Sequence, residues 1–275
     1  MPRPDRISTG TKAMHATDFR AAKLARRKLS LISCYDYTFA RLLSTTDVDA
    51  LLVGDSAAMV MHGFPSTLHA DIPMMVSHTS AVVRGAPGKL VIADMPFLSY
   101  RKGLPAAMDA AHALMCAGAG ALKLEGIDGH EDVIAHLVQS GIPVMGHLGL
   151  QPQSIHTSGG YRVQGRDAES AQAILREAAH LERLGAFAIV LECVPQSIAS
   201  EVTASIKIPV IGIGAGPDCD GQVLVLHDLL GMNPDFSPRF VRRFSQLGST
   251  VIGACNSFSA SVATGQFPAP EESFE

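Results

Sequence analysis

The sequence predicts a closed (β/α)8 barrel, the TIM-barrel form of the α/β class. It forms one domain over residues 1–275, with a helix before the barrel and a helical extension after it. Three observations carry the prediction. Eight short apolar runs fall near residues 29–34, 50–54, 89–93, 121–124, 143–146, 187–191, 209–213 and 222–226, most of them of strand length. Segments with helical marks separate most of these runs, and apolar strands alternating with helices imply a parallel sheet covered on its outer face. The 275 residues match the roughly 250 of a single eight-stranded barrel, and eight repeats favour closure over an open doubly wound sheet.

Residues 1–30 are basic, with Arg20, Lys23, Arg26, Arg27 and Lys28 close together. A nucleic-acid arm or a transit peptide has this composition, but Phe19, Leu24 and the alanines suit an amphipathic helix that covers the barrel floor with its charges in water. After the third run, Pro105 sits at a first-turn position before Met108, Ala111 and Met115, and Gly118 is placed to stop that helix. A second stripe, Val133, Ile134 and Leu137, precedes the fifth run. The segment from Asp167 to Gly185 is the clearest helix: Ala171, Ile174, Leu175, Ala178 and Leu181 share a stripe from which Arg176, Glu177 and Glu182 are excluded. Gly212-Ile213-Gly214-Ala215-Gly216-Pro217 places Pro217 where a dinucleotide fingerprint needs its last glycine, so it is no nucleotide signature. An anion-binding loop and a tight turn between small residues both remain open for it. Beyond Gly231 come Pro234 and Pro238, two weaker helical stretches and a tail, residues 266–272, too rich in proline for a helix. Packing or subunit contact is the expected use of this C-terminal part.

The formal charge of −4 and pI near 6.2 give no global attraction for nucleic acid or an anionic membrane, so neither is an expected partner. Cys34, Cys116, Cys193, Cys219 and Cys255 are odd in number and form neither C-x-x-C nor a zinc spacing, which predicts reduced thiols and a cytoplasmic address. Cys193, beside Glu192, is the one thiol to weigh as a nucleophile. No stretch approaches the roughly twenty apolar residues of a membrane span, and no apolar signal core opens the sequence. A soluble small-molecule enzyme fits these bounds.

Four of the runs end in an acid: Leu51-Leu52-Val53-Gly54-Asp55, Leu90-Val91-Ile92-Ala93-Asp94, Ala121-Leu122-Lys123-Leu124-Glu125 and Ala188-Ile189-Val190-Leu191-Glu192. An unpaired buried carboxylate is costly, so acids that repeatedly close buried strands call for a metal, a cation or a substrate proton. Parallel barrel strands put all these ends on one rim. Lys123 and Glu125, separated by one residue, point to the same face; a plain ion pair plugging the barrel is the structural alternative for them. Asp55, Asp94 and Glu125 suit a hard divalent ion such as Mg2+, which accepts few carboxylates and keeps positions open for substrate oxygens. That leaves Glu192 free for proton transfer. Ser56 follows Asp55 at a strand-to-helix turn and can hold a substrate carboxylate, whereas Ala58 breaks any G-x-S-x-G elbow. His147, just past the fifth run, can orient substrate, shuttle a proton or serve as a structural histidine.

Taken together, YDYTFARLL (35–43), LLVGDSAAMV (51–60), VIADMPFLSY (91–100), LKLEG (122–126), GHLGLQPQSIHTSGGYRVQGR (146–166), VLECVP (190–195) and IPVIGIGAG (208–216) closely resemble the 3-methyl-2-oxobutanoate (ketopantoate) hydroxymethyltransferase family. The likeness runs from about residue 17 to the FPAPEESF tail. It implies a hydroxymethyl transfer from 5,10-methylenetetrahydrofolate to the enolate of 3-methyl-2-oxobutanoate, giving 2-dehydropantoate at the first committed step of pantothenate synthesis. It implies Mg2+ on Asp55, Asp94 and Glu125, substrate contacts from Asp55, Ser56, Asp94 and Lys123, and Glu192 as proton acceptor. The family also implies a ring built from dimers, commonly a homodecamer. Chelation of Mg2+ by the oxo acid would offset charge on the ketone oxygen as C3 loses its proton, and a partly desolvated position would raise the basicity of Glu192.

Ala57-Ala58 stands where the family has a larger residue and then glycine, which tightens the turn presenting Ser56, and Ile127 stands where a second glycine is common. Gly159-Gly160-Tyr161 with Arg162 and Arg166 has the composition of a mobile entrance loop or of an ordered surface loop. Two other readings share the barrel. A Mg2+-dependent lyase or mutase of the phosphoenolpyruvate mutase and isocitrate lyase group needs a reactive loop cysteine that no string here supplies, and a noncatalytic metabolite-binding barrel has no use for the full acid set.

Overall fold

The computed structural model describes residues 14–157, 159–233 and 238–274, which group into two compact units dividing between Val223 and Leu224. Strands β1 (Leu29–Ser33), β2 (Ala50–Val53), β3 (Leu90–Asp94), β4 (Ala121–Glu125), β5 (Val144–Gly149), β6 (Ala188–Glu192), β7 (Val210–Ile213) and β8 (Gly221–Val225) close in sequence order into a barrel. Every pairing from β1–β2 to β7–β8 is parallel. All eight apolar runs are strands, and β3, β4, β5 and β6 extend one to three residues further to take in Asp94, Glu125, Gly149 and Glu192.

Helix α1 (Ala16–Leu24) precedes the barrel, and α2 (Tyr37–Leu43) follows β1. Next come α3 (Ala57–Val60) and α4 (Ile72–Gly85) after β2, α5 (Leu104–Cys116) after β3, α6 (Glu131–Gln139) after β4, α7 (Ala168–Leu184) after β5 and α8 (Gln196–Ser205) after β6. Local chemistry sets their ends. The Asp167 side chain accepts the Ser170 N–H at the start of α7, and Gly185, with φ of 95°, closes it in the left-handed region that favours glycine. Ala171, Ile174, Ala178 and Leu181 are the buried stripe of α7, with Leu175 half-buried at its edge.

The barrel interior is read from strand parity. Leu29 and Leu31, Ala50 and Leu52, Leu90 and Ile92, Ala121, Met145, Ala188 and Val190, Ile211 and Val223 form one buried apolar cluster. Phe19 and Ala22 of α1 join it, and Phe19 packs edge-on against Phe187 at 5.1 Å. The amphipathic N-terminal helix is therefore present. Leu24, however, is 79% exposed: it lies at the last turn, off the stripe of Phe19 and Ala22. Three of the neighbouring cations have partners within the protein. Lys23 pairs with Asp220 at 2.9 Å and Arg27 with Asp49 at 2.6 Å, and Lys28 donates to the Cys219 carbonyl. The remainder of the basic segment, residues 1–13, and Pro234 lie outside the described residues.

The Gly212–Pro217 segment forms the tight turn after β7: Gly214 and Gly216 have φ of 64° and 85°, and a Cβ on Gly212 would meet Cys219 Sγ at 2.9 Å. In the second unit, α9 (Leu226–Leu229) precedes α10 (Leu247–Ala263). The two weaker stretches expected beyond Pro238 are one helix of 17 residues with no buried residue. Gly248 and Gly253, with Ser and Thr between the apolar positions, weaken its helical signature. The tail holds a single 3-10 turn, Pro270–Glu272, where no helix was expected; the Ala269 N–H donates to Glu272 Oε2 at 2.8 Å. No helix among the described residues is long and apolar enough to cross a membrane.

Candidate active site

The parity that fills the barrel floor with hydrocarbon continues upward into charge. Two residues beyond Ile92 is Asp94, beyond Ala121 come Lys123 and Glu125, beyond Met145 is His147, and beyond Val190 is Glu192. Alternation along each strand keeps all of them on the inner face. Parallel register then sets them side by side: Asp94 is opposite Lys123, and Glu125 is opposite His147. Glu192 is opposite Gly149, which has φ of 84° and whose added Cβ would collide with the Glu192 carbonyl. Only glycine lets β5 and β6 approach this closely at the rim.

Lys123 Nζ lies 2.9 Å from Asp94 Oδ1. The Asp55 N–H donates to Asp94 Oδ2 at 3.0 Å, which ties the end of β2 to β3. His147 stands between two acids, with Nδ1 3.2 Å from Glu125 Oε1 and Nε2 3.2 Å from Glu192 Oε2. Both ring nitrogens therefore face carboxylates, Nδ1 in a hydrogen bond with Glu125 and Nε2 in an ion-pair contact with Glu192, an environment that favours the imidazolium. Lys123 Nζ also lies 3.3 Å from His147 Nδ1. Ser56 Oγ is 2.8 Å from Tyr35 Oη, which is 3.0 Å from Ser33 Oγ. Ala57 and Ala58, the departures beside Ser56, are fully buried, as is Ile127 at 2% exposure.

Asp55, Asp94, Lys123, Glu125 and His147 are all at most 4% exposed, so their protonation follows from one another. Burial pushes the Asp55 carboxyl well above the usual range, and the charges of Asp94 and Glu125 push it further. Burial also raises Asp94, against the opposing pull of Lys123. For Glu125 burial acts upward, but the His147 and Lys123 charges outweigh it and hold the carboxyl below its ordinary value. Burial and Lys123 act to lower His147, yet Glu125 and the hydrogen bonds to Glu125 and Glu192 lift it to about 9. Lys123 is held above its ordinary value: burial opposes its charge, and Asp94, Glu125 and Asp55 overcome that. Burial and the neighbouring Glu192 charge raise the Cys193 thiol to about 11, which disfavours the thiolate a nucleophile needs.

Asp55, Asp94, Lys123, Glu125, His147 and Glu192 are linked in this cluster, and Ser56 follows Asp55 with its hydroxyl on Tyr35. Among the described residues, though, no three His, Cys, Asp or Glu side chains form a ready-made metal-ligand group. Asp55 keeps Oδ1 open, while the oxygens of Asp94 face Lys123 and the Asp55 N–H and both oxygens of Glu125 already accept, from His147 and from the Gln153 N–H at 2.9 Å. Three contributors were missed: Tyr35, Tyr100 and Gln153. Tyr35 follows the first run directly, and Gln153 lies four residues past the glycine that ends β5, so rim position alone could have flagged both. Tyr100, reached through the loop after β3, had no such signal. Tyr161, on the Gly159–Arg166 loop, approaches the cluster from solvent; it is 56% exposed, and its hydroxyl contacts Met59 Sδ at 3.8 Å.

Fold and site together define an α/β-barrel enzyme with a buried acid, lysine and histidine cluster at the C-terminal ends of its strands. Residues 13–270 match the family model described as ketopantoate hydroxymethyltransferase. The 3-methyl-2-oxobutanoate hydroxymethyltransferase of Bdellovibrio bacteriovorus is 54% identical over 94% of this chain and 98% of its own, and that of Coxiella burnetii 50% over 93% and 97%. The chain belongs to the ketopantoate hydroxymethyltransferase family, a family of transferases. The solved structure of 2,3-dimethylmalate lyase, a PEP mutase/isocitrate lyase superfamily member, superposes with a TM-score of 0.60 at 18% identity, covering 95% of this chain and 93% of that one. The barrel is thus shared with the rival group, and sequence separates the two.

Proposed function

We propose that the protein transfers a hydroxymethyl group from 5,10-methylenetetrahydrofolate to 3-methyl-2-oxobutanoate, yielding 2-dehydropantoate for pantothenate synthesis. The observation that carries this is the convergence of Asp55, Asp94, Lys123 and Glu125 with Glu192, which is bridged to them through His147 at 3.2 Å. One end of this array suits an oxo acid and the other a carbon-bound proton.

Two buried carboxylates, both raised by burial and by the Glu125 charge, are hard oxygen donors that a divalent cation relieves, so the donor set fits Mg2+. Asp55 and Asp94 would hold it, with Glu125 completing the acid set. When bound, the ion supplies positive charge that offsets the negative charge growing on the substrate's oxo oxygen. The Ser56 hydroxyl, steadied by Tyr35, donates to the substrate carboxylate. Lys123 adds a fixed cation beside Asp94. Glu192, with its side chain 18% exposed, accepts the C3 proton while the His147 imidazolium holds its carboxylate in place. C3 then bonds to the one-carbon unit as one of its two bonds to folate nitrogen breaks, and water replaces the second nitrogen and supplies the hydroxyl. The C3 proton and the remaining water proton end on the two freed nitrogens of tetrahydrofolate. The five free thiols, Cys116 and Cys255 among them exposed, support a cytoplasmic setting. Exposed Ile252 and Phe258 on α10 support a homo-oligomer, taken here as a decamer.

The test supplies both substrates to chelator-treated protein and follows 2-dehydropantoate before and after Mg2+ is restored. Product that depends on folate and is restored by the metal is expected. Product formed equally under excess chelator, or cleavage of the oxo acid instead of addition, would overturn the reading.

A further inference from the structure

Gln153 holds two of the proposed ligand acids at once. Its backbone N–H donates to Glu125 Oε2 at 2.9 Å, and its side-chain Nε2 donates to Asp55 Oδ2 at 2.8 Å and to the Met95 carbonyl at 3.0 Å. Its Oε1 accepts from the Tyr100 hydroxyl at 2.9 Å. That hydroxyl also lies 3.1 Å from the Glu125 carbonyl and 3.3 Å from the Glu125 N–H. Gln153 is 6% exposed and Tyr100 is 1% exposed, so neither side chain has bulk water as an alternative partner.

Two acceptors, Asp55 and Met95, claim the two N–H groups and select the orientation of the amide, since a flip would set its oxygen against a carboxylate and a carbonyl. The Tyr100 hydroxyl, shared with the Glu125 carbonyl, adds a donor to the amide oxygen. Asp55 in turn accepts at Oδ2, while Oδ1 has no hydrogen-bond donor among the described residues. From the loop after β5, Gln153 therefore braces the end of β2 to the end of β4, two strands that do not pair with each other.

We infer that Gln153 is a positioning residue that aims the open oxygen of Asp55 at a divalent cation while fixing Glu125 beside it, and that Tyr100 acts only by setting the orientation of the Gln153 amide. The inference rests on the metal reading proposed above. Outer partners that orient ligands typically carry 10- to 100-fold in metal affinity. Gln153→Met keeps the side-chain length and removes the donors. Tyr100→Phe removes one hydroxyl and keeps the ring.

The experiment titrates Mn2+ into the full-length wild type and the variants and reads free Mn2+ by electron paramagnetic resonance. Thermal unfolding is recorded on the same samples. Gln153→Met is expected to weaken Mn2+ at least tenfold. Tyr100→Phe should weaken it severalfold, and the double variant should lose no more than Gln153→Met alone, because Tyr100 has nothing left to orient. In turnover, the metal concentration for half-activity should rise more than the KM for oxo acid at saturating metal, a split that general loosening of the fold does not produce. Wild type that binds Mn2+ with Gln153→Met unchanged, or losses that add in the double variant, would overturn this inference alone. Wild type that binds no Mn2+ would overturn the metal reading and this inference with it.

Discussion

Replacing Lys123 by methionine removes the one fixed ammonium from a pocket shared by Asp55, Asp94 and Glu125. Its Nζ sits 2.9 Å from Asp94 Oδ1, with both side chains at most 5% exposed. At an effective dielectric of ~20 that separation corresponds to about 6 kcal/mol of attraction, offset by the desolvation of both ions. Stripping one partner from such a pair leaves an uncompensated charge and typically costs ~3–5 kcal/mol. Asp94 has an escape, because burial already raises its carboxyl and loss of Lys123 removes the main opposing influence. A carboxyl raised in the folded state binds its proton more tightly there than in the unfolded chain, so its penalty fades as pH falls. Urea unfolding of metal-free protein should therefore show Lys123→Met destabilised by about 3–5 kcal/mol at pH 8 and by roughly half that or less at pH 5. A loss below ~1 kcal/mol at pH 8, the range of a surface pair, or an equal loss at both pH values would refute the reasoning.

Two further outcomes follow from the same geometry. His147 is lifted from 6.5 to about 9 in the folded protein, so its contribution, on the order of 3 kcal/mol, is complete below pH 6.5 and lost as pH rises through 9. The stability gap between metal-free wild type and His147→Gln should shrink across that window in urea titrations, and a gap that stays constant from pH 6 to 10 would count against the imidazolium bridge. A Cβ on Gly54 would meet Ser56 Oγ at 2.8 Å. Gly54→Ala should displace that hydroxyl and raise the KM for oxo acid about tenfold with kcat little changed, the signature of lost uniform binding; an unaltered KM would remove Ser56 from the substrate contacts.

The barrel was legible because buried parallel strands write themselves as apolar runs, and each run from Leu29 to Val225 became a strand. The acids were legible for the related reason that a charge closing such a run has few structural explanations. What stayed hidden depends on side chains that meet from distant loops. Nothing in the spacing of Tyr100 and Gln153 announces that one orients the other, and no strand period shows that both oxygens of Glu125 are already engaged. The C-terminal helix was split in two because Gly253 and the Ser and Thr residues between its apolar positions are poor helix formers, although the chain runs through them as one helix, α10. Leu24 was misassigned because one apolar residue at a helix end adds little to a periodic signal.

Proton exchange at C3 of 3-methyl-2-oxobutanoate in deuterated water, followed by proton NMR without folate, isolates the role given to the rim carboxylates. Wild type with Mg2+ should collapse the substrate's methyl doublet to a singlet. Glu192→Gln should bind the oxo acid with wild-type affinity yet leave the doublet intact, and chelation should silence the wild type. Exchange that persists in Glu192→Gln, or that proceeds unabated under excess chelator, would contradict the account.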